Sequence, residues 1–225
     1  MTDPNKARIY IYTPAATVGK SKDADTSNHT QSPVAPATGR TKKVYAGNKV
    51  QAGLLFLTAN THKRVPVFRE HVAARIFFQE LDFYRSSYGF KLHGYVLMPD
   101  HFHLLLNFPE ENSFANFLRD FKSSVGKLIV DWAKRANRKA LLQRLRLPDN
   151  PKRYKDARYR VLQPNSHVRL IMSISMFQQK LDYIHANPVR ENLVKWAIDY
   201  RYTSLRNYEL GRGAVRIDPH NLLLS

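Results

Sequence analysis

One stretch near the middle of the chain decides the fold: Leu97-Met98-Pro99-Asp100-His101-Phe102-His103-Leu104-Leu105-Leu106. A Pro-Asp turn precedes two histidines that one large apolar residue separates, and a hydrophobic run continues beyond them. Because successive side chains of a β-strand point to opposite faces, we expect His101 and His103 on the same face. Phe102 and Leu104 are then expected on the other face, in a core. The stretch therefore predicts a strand with a polar pair on one side and apolar residues on the other.

Hydrophobic periodicity on both sides of this strand predicts a mixture of helices and strands. In chain order, the predicted elements are a buried strand over 54–58, a helix over 67–88, a strand over 91–98, the histidine strand ending at 108, a helix that begins at 113, a strand within 159–171, a helix over 175–186 and a short helix over 200–208. The tight turn before His101 predicts an antiparallel hairpin. Asn187-Pro188 is expected to end the helix over 175–186, since proline disfavours helical geometry in the residue before it.

The charge of the chain indicates the kind of partner. It contains 36 Lys and Arg but only 18 Asp and Glu, which gives a formal net charge of +18. So large an excess favours a polyanionic partner, and nucleic acid is the first candidate. No long apolar span supports a membrane partner. The chain has no cysteine, which excludes disulfides and thiolate metal sites and is compatible with a reducing cytoplasm. We expect a cytoplasmic, nucleoid-associated protein.

Composition divides the chain into two parts. Residues 1–47 are rich in Thr, Ser, Ala, Pro and Lys and have little apolar periodicity, so they are predicted to be a disordered leader. Their basic residues could contact DNA, but a plain flexible tail is the better explanation. Residues 48–225 are predicted to form one domain.

One interval of that domain, residues 134–160, is strongly basic. Eleven Lys and Arg in it oppose only two Asp. Such a run is often a solvated helix end and loop. The neighbouring Tyr154 and Tyr159 favour a phosphate-binding surface instead. Three cations at the centre of the interval are predicted DNA contacts: Lys152, Arg153 and Lys155.

His101 and His103 form the first candidate site. Two imidazoles about 7 Å apart along a strand can share one metal ion. The pair does not complete a coordination sphere, so a third ligand must come from another part of the chain. Two histidines on a half-exposed strand without a metal remain the alternative.

Tyr183 and Asn187 form the second candidate site. Residues four apart lie on the same face of a helix, so the phenol and the amide can address one position. The amide oxygen of Asn187 is an acceptable ligand for a hard cation, and the phenol of Tyr183 can act as a nucleophile. Alternatively, Tyr183 packs in the core and Asn187 caps the helix.

The two sites together suit phosphodiester chemistry. A metal would polarise a phosphate oxygen, and Tyr183 would attack the phosphorus and expel a sugar hydroxyl. The phosphotyrosine bond conserves the linkage for rejoining, so strand transfer needs no nucleotide cofactor. A phenol has a pKa of about 10 in water, so its proton must leave with the help of the metal, a base or the basic surroundings.

Two motifs resemble a known family. The segment 94–105 resembles the HUH segment of single-tyrosine transposases that act on single-stranded DNA. The segment Tyr183-Ile184-His185-Ala186-Asn187-Pro188-Val189-Arg190 is similar to the tyrosine helix of the same group, and residues 199–208 are similar to its Tyr/Ser-rich C-terminal stretch. The REP-associated tyrosine transposases are the branch that the chain resembles most. The resemblance covers about residues 50–210.

The resemblance implies a fold, a chemistry and a substrate. The fold is α+β, a ferredoxin-like antiparallel sheet of the order βαββαβ with the HUH motif on a central strand and a C-terminal tyrosine-bearing helix. His101 and His103 would hold Mg²⁺ or Mn²⁺, Asn187 would be the third metal ligand and Tyr183 the nucleophile. The substrate would be single-stranded DNA with a small hairpin, cut to leave a 5′-phosphotyrosine and a free 3′-hydroxyl. The protein would act as a monomer or a homodimer.

The chain departs from this family in three places. Its leader is long, the basic interval 134–160 looks expanded, and Val161-Leu162-Gln163-Pro164 stands where relatives often carry an aromatic pair. Lys122 and Arg190 are predicted DNA contacts because they flank the proposed site.

The sequence leaves two other functions open. A nucleic-acid-binding protein without catalysis, built on the same fold, would also carry a large positive charge but would tolerate Phe at position 183. A metallohydrolase that acts on a small molecule would use the histidine pair, but such enzymes usually need more His and Asp ligands.

Overall fold

The computed structural model of the protein describes residues 53–109, 113–148 and 158–218. The predicted leader, residues 1–47, lies outside these ranges, so the division into leader and domain stays a prediction. Within the described parts, no helix combines the length and the apolar character needed to cross a bilayer.

Four strands form one antiparallel sheet: β1 (Gly53–Thr61), β2 (Lys91–Leu97), β3 (His101–Phe108) and β4 (Leu162–Leu170). Their order across the sheet is β2-β3-β1-β4, so β3, the histidine strand, is internal. β2 and β3 form the predicted hairpin, which is closed by a hydrogen bond of 2.9 Å from the Met98 N–H to the His101 carbonyl. The predicted α+β class with its antiparallel sheet is confirmed.

Five α-helices lie within the described residues: α1 (His71–Tyr88), α2 (Ser113–Arg135), α3 (Lys139–Leu145), α4 (Ile174–Arg190) and α5 (Leu205–Leu210). The order β1-α1-β2-β3-α2-β4 is the predicted βαββαβ arrangement, with α3 inserted before β4 and α4 following it. The helix predicted over 67–88 is interrupted, because a 3₁₀ turn, Val67–Arg69, precedes α1. α1 ends at Gly89, whose φ of 64° is left-handed and therefore suits glycine.

The main core lies between one face of the sheet and helices α1 and α2. The Phe77 ring of α1 packs 4.9 Å from Phe102 of β3 and 5.3 Å from Phe121 of α2, measured between centroids. All three rings are fully buried, and each such ring contributes about 1.5–3 kcal/mol. Val72 and Ile76 of α1 are half-buried, because the surface facing the sheet is centred on Phe77.

A smaller core lies on the opposite face of the sheet, under α4. Its buried residues include Phe177, Leu181 and Ile184 of α4. From the sheet they include Phe56, Val96 and Leu105. Gly94 of β2 allows a close approach here, since a Cβ at this position would lie 2.8 Å from Leu181 Cδ1. The absence of a side chain at Gly94 therefore sets how near α4 comes to the sheet.

The prediction that Asn187-Pro188 ends the late helix is wrong. α4 continues through Pro188 to Arg190, and Asn187 and Pro188 are both buried. The N–H of Glu191 donates to the Asn187 carbonyl at 3.0 Å, which completes the last turn. Burial of Asn187 and Pro188 outweighs the local preference of the residue before proline.

The chain after α4 returns to the free edge of β2. The Leu97 N–H donates to the Tyr202 carbonyl at 2.9 Å, and the Asp218 N–H donates to the Leu92 carbonyl at 2.7 Å. This segment therefore supplies partners to backbone groups that β2 would otherwise present to solvent. The short helix predicted over 200–208 is displaced, because α5 begins only at Leu205.

Candidate active site

β3 presents His101 and His103 on the face that α4 covers. Both side chains are buried, each 4% exposed, and their ring centroids are 5.0 Å apart. Phe102 and Leu104 point to the opposite face and are fully buried in the main core. The predicted alternation of side chains between the two faces of β3 is confirmed. The strand is buried, and not half-exposed as the alternative interpretation expected.

His103 is held as a neutral imidazole with one nitrogen available. Its Nδ1 lies 2.7 Å from Thr58 Oγ1, and its ring stacks on Phe56 at 5.5 Å. Burial, and to a smaller extent the charge of His101, lowers the pKa of His103 to about 3. Its Nε2 is buried and has no hydrogen-bond partner. With the hydrogen on Nδ1, the Nε2 lone pair is free to bind a cation.

Two carboxylates flank His101. Its Nδ1 lies 2.8 Å from Asp100 Oδ1. The other carboxylate oxygen of Asp100 forms an ion pair with Arg64 Nε at 2.9 Å. On the opposite side of the ring, Nε2 lies 3.7 Å from Glu191 Oε1. A carboxylate on Nδ1 keeps the hydrogen there and orients Nε2, an arrangement that is typical of metal-binding histidines.

These side chains could hold a metal ion. Asp100, His101 and Glu191 each offer a ligand atom, and these atoms lie within 4.8 Å of one another. Carboxylate oxygen and imidazole nitrogen suit Mg²⁺ or Mn²⁺, and the unpartnered Nε2 of His103 adds a further donor. The residues therefore fit such an ion. Asn187 is buried on α4, one turn before Glu191, and its role as the third ligand stays a prediction.

α4 brings Tyr183 to the histidines. The helix begins after Ser173, whose hydroxyl caps it by accepting a hydrogen bond from the Met176 N–H at 3.2 Å. The half-buried Tyr183 ring then packs edge-on to the His103 ring, with centroids 5.2 Å apart. The structure thus brings together the phenol and the imidazole pair that the two motifs single out.

Two cations lie over the Tyr183 ring. Lys180 Nζ is 5.8 Å and Arg190 Cζ 5.1 Å from the ring centroid. Burial, followed by the charge of Arg169, lowers the pKa of Lys180. Arg190 is exposed and therefore accessible to a ligand at this site, as its predicted role requires.

Lys122, the other predicted DNA contact beside the site, is engaged within the protein. Its ammonium on α2 donates to the Pro164 carbonyl at 2.7 Å and to Ser166 Oγ at 3.0 Å. Burial, with a smaller effect of Arg160, lowers the pKa of Lys122 to about 8. A further set of predicted DNA contacts lies outside the described residues: Lys152, Arg153 and Lys155. The contacts of all four with DNA stay predictions.

Sequence reasoning missed three residues of this site. Asp100 was predicted only as part of a turn, although it adjoins His101. Glu191 follows Asn187 by four residues, and this helical spacing is a signal that could have identified it. Thr58 faces His103 across β1 and β3, which depends on a strand register that the sequence does not reveal.

Comparisons with known proteins agree with the predicted resemblance. Residues 54–144 match the model of a family described as IS200-like transposases. The solved structure of a REP-associated tyrosine transposase bound to a REP hairpin is similar to this chain, with 18% sequence identity and a TM-score of 0.54. The match covers 79% of this chain and 90% of that transposase. A proposed transposase from Deinococcus radiodurans R1 is 20% identical, with coverage of 62% of this chain and 92% of its own and a TM-score of 0.39. No curated protein matches the chain. The family match confirms the resemblance over residues 54–144, and the first structure confirms the fold.

Proposed function

We propose that this chain, whose residues 54–144 match the IS200-like transposases, is a metal-dependent enzyme that nicks and rejoins single-stranded DNA. One observation carries the proposal. The Tyr183 ring packs 5.2 Å from His103, whose buried Nε2 has no hydrogen-bond partner. A nucleophile and an available metal ligand thus lie side by side in a strongly basic protein.

Tyr183 performs the covalent step. Its phenolic oxygen attacks a backbone phosphorus, and the bond between that phosphorus and the 3′-oxygen of the preceding nucleotide breaks. The phenolic proton is released to water, and the departing 3′-oxygen takes up a proton. The products are a 5′-phosphotyrosine and a free 3′-hydroxyl. Attack by a 3′-hydroxyl on the phosphotyrosine reverses the reaction and joins strands without an external energy source.

His101, His103 and Asn187 would hold Mg²⁺ or Mn²⁺, and Glu191 would add a carboxylate to the same site. When bound, the ion offsets the negative charge that develops on the phosphate oxygens in the transition state. Thr58 and Asp100 orient the two imidazoles so that each Nε2 faces the site. Burial keeps His103 neutral, so that no proton competes for its Nε2.

Arg190 and Lys180 hold the scissile phosphate. Their positive groups lie 5.1 and 5.8 Å from the Tyr183 ring centroid, on the element that carries the nucleophile. A guanidinium is suited to bidentate binding of phosphate oxygens. These two cations therefore position the phosphate for attack.

Hairpin-bearing DNA is the proposed substrate. The structural relative with the same fold is bound to a REP hairpin. The net charge of +18 supports a nucleic-acid partner, to which Lys152, Arg153 and Lys155 would contribute. Action on the host's DNA is consistent with a cytoplasmic, nucleoid-associated protein that works as a monomer or a homodimer.

The experiment is a search for the covalent adduct. Purified protein is mixed with labelled hairpin DNA and Mn²⁺ and separated on a denaturing gel, where the parent should give a protein–DNA band. Tyr183→Phe should give none while it still binds the DNA, and Tyr84→Phe, which alters a tyrosine on the opposite face of the sheet, is the matched control. DNA binding without an adduct in the parent would identify a non-catalytic nucleic-acid-binding protein instead.

A further inference from the structure

A second basic site lies away from the tyrosine and the histidines. A cleft of about 790 Å³ opens between α1 and the chain that follows α4. Five arginines line it: Arg75, Arg201, Arg206, Arg212 and Arg216. α1 packs on the face of the sheet opposite to α4, so this cleft is separate from the surface that carries Tyr183.

The lining of the cleft contains few negative charges to balance its arginines. Asp82 is the one carboxylate among its lining residues, and none of the five arginines forms an ion pair with another described residue. Four of the five are exposed, whereas Arg206 donates to the Ile198 carbonyl at 2.9 Å. Guanidinium groups that converge on one concavity without counter-charges favour an anion with several charges.

The lining also has an apolar part. Phe78 and Val215 are buried in its floor, and Tyr202 stands in its wall with its hydroxyl 2.9 Å from His71 Nδ1. A concavity lined by arginines together with apolar and aromatic side chains is typical of sites that bind an unpaired strand. A duplex, by contrast, is bound on broad surfaces or by elements that enter its grooves.

From this geometry we infer that the cleft between α1 and the C-terminal segment binds the phosphates of single-stranded DNA. The inference rests on the proposed function only in taking DNA as the polyanion. It adds a second contact region, on the other side of the sheet from the reacting groups. A strand engaged there would be held whether or not its cleavage site occupies the metal centre.

The test measures binding without chemistry. All proteins carry Tyr183→Phe and are kept free of divalent metal, so that the adduct and the metal centre play no part. The probe is a fluorescent single strand of about 12 nucleotides that cannot form a hairpin, observed by anisotropy over a range of salt concentrations. Arg75→Ala combined with Arg212→Ala removes two exposed charges of the cleft. Arg119→Ala combined with Lys127→Ala removes two exposed charges from α2 as the matched control.

The cleft variant should bind the single strand about tenfold more weakly, with a salt slope reduced by about 0.7 for each phosphate that the protein no longer neutralises. The control should change less than threefold, and binding of a blunt duplex should be reduced less in the cleft variant than binding of the single strand. Equal reductions in the two double variants, or an equal reduction for the duplex, would overturn the inference. The adduct assay with intact Tyr183 is independent, so a failure here is distinguishable from a failure of the proposed function.

Discussion

The ring of Tyr183 stands edge-on against the ring of His103, at an interplanar angle of 78° and a centroid distance of 5.2 Å. β3 supplies the imidazole and α4 the phenol, and Gly94 lets the helix approach the sheet. The relationship therefore depends on how α4 packs, and not only on the two motifs.

Thr58→Ala should weaken Mn²⁺ binding by about tenfold to a hundredfold. The substitution removes the hydroxyl that lies 2.7 Å from His103 Nδ1, so the imidazole loses the hydrogen bond that fixes its ring and its tautomer. Calorimetric titration with Mn²⁺ measures the effect. Thr58→Ser keeps the hydroxyl and should bind like the parent. Unchanged affinity in the alanine variant would mean that packing on Phe56 alone orients the ring.

Glu191→Gln should lower the affinity for Mn²⁺ by about tenfold, because the site loses a negative charge 3.7 Å from His101 Nε2. The signal of free Mn²⁺ in electron paramagnetic resonance reports the bound fraction directly. Glu209→Gln removes an exposed carboxylate on α5 and serves as the control. If both variants retain the parent's affinity, Glu191 does not bind the ion, and Asn187→Ala then tests the third ligand expected from the sequence.

Gly94→Ala should destabilise the protein by about 1–3 kcal/mol, because the new methyl group would lie 2.8 Å from Leu181 Cδ1. The helix that carries Tyr183 must shift to relieve this contact, so adduct formation should fall as well. Urea unfolding followed by circular dichroism gives the free energy. Gly126→Ala adds the same methyl group on α2, where nothing lies within 4 Å, and should be neutral or stabilising by up to about 1 kcal/mol.

Lys122→Ala should reduce the free energy of unfolding by about 1.5–3 kcal/mol, since Pro164 and Ser166 lose hydrogen bonds from a charged donor. Lys127→Ala, on the exposed side of the same helix, should change it by less than about 0.5 kcal/mol. Both variants should bind DNA similarly at a temperature well below unfolding. A clearly larger loss of DNA affinity in Lys122→Ala would instead support the role predicted from the sequence.

His185 should make the protein less stable in mild acid. It is buried with its Nε2 2.9 Å from Ser204 Oγ, and burial lowers its pKa to about 3. In the unfolded chain the His185 imidazole takes up a proton near pH 6.5, whereas in the folded chain it does so only near pH 3. The free energy of unfolding that depends on the neutral imidazole is therefore complete above pH 6.5 and is lost as the pH falls towards 3.

The expected contribution of His185 to the pH dependence is up to about 1.4 kcal/mol per pH unit within that window. Unfolding free energies measured between pH 7 and pH 4.5 should therefore fall less steeply in His185→Gln, which can still bond to Ser204. Parallel profiles for the variant and the parent would show that other groups control the acid sensitivity.

The parts of this structure that follow from local pattern could be predicted from the sequence. The alternation around His101 and His103 determines two faces of one strand, and the Pro99-Asp100 turn joins it to its neighbour. The meeting of Tyr183 with this strand could not be derived from periodicity, because nothing in the spacing says which face of the sheet a later helix covers. The family resemblance supplied that expectation.

Other features depend on long-range packing, and for that reason they could not be predicted from the sequence. The continuation of α4 through Pro188 reflects the burial of Asn187 and Pro188, which overrides the preference of the residue before proline. The arginine cleft combines Arg75 of α1 with Arg212, far along the chain, and only the path of the C-terminal segment brings them together.

The attachment of the C-terminal segment to β2 also bears on how copies of this protein can meet. An open strand edge is a template on which a second chain can add its own strand, yet the backbone of Leu92 and Leu97 is already occupied by residues of the same chain. The opposite edge is β4, where Pro164 lacks an N–H to donate. The β2 edge is therefore closed to strand addition by a second chain, and Pro164 shortens the run of N–H donors on β4.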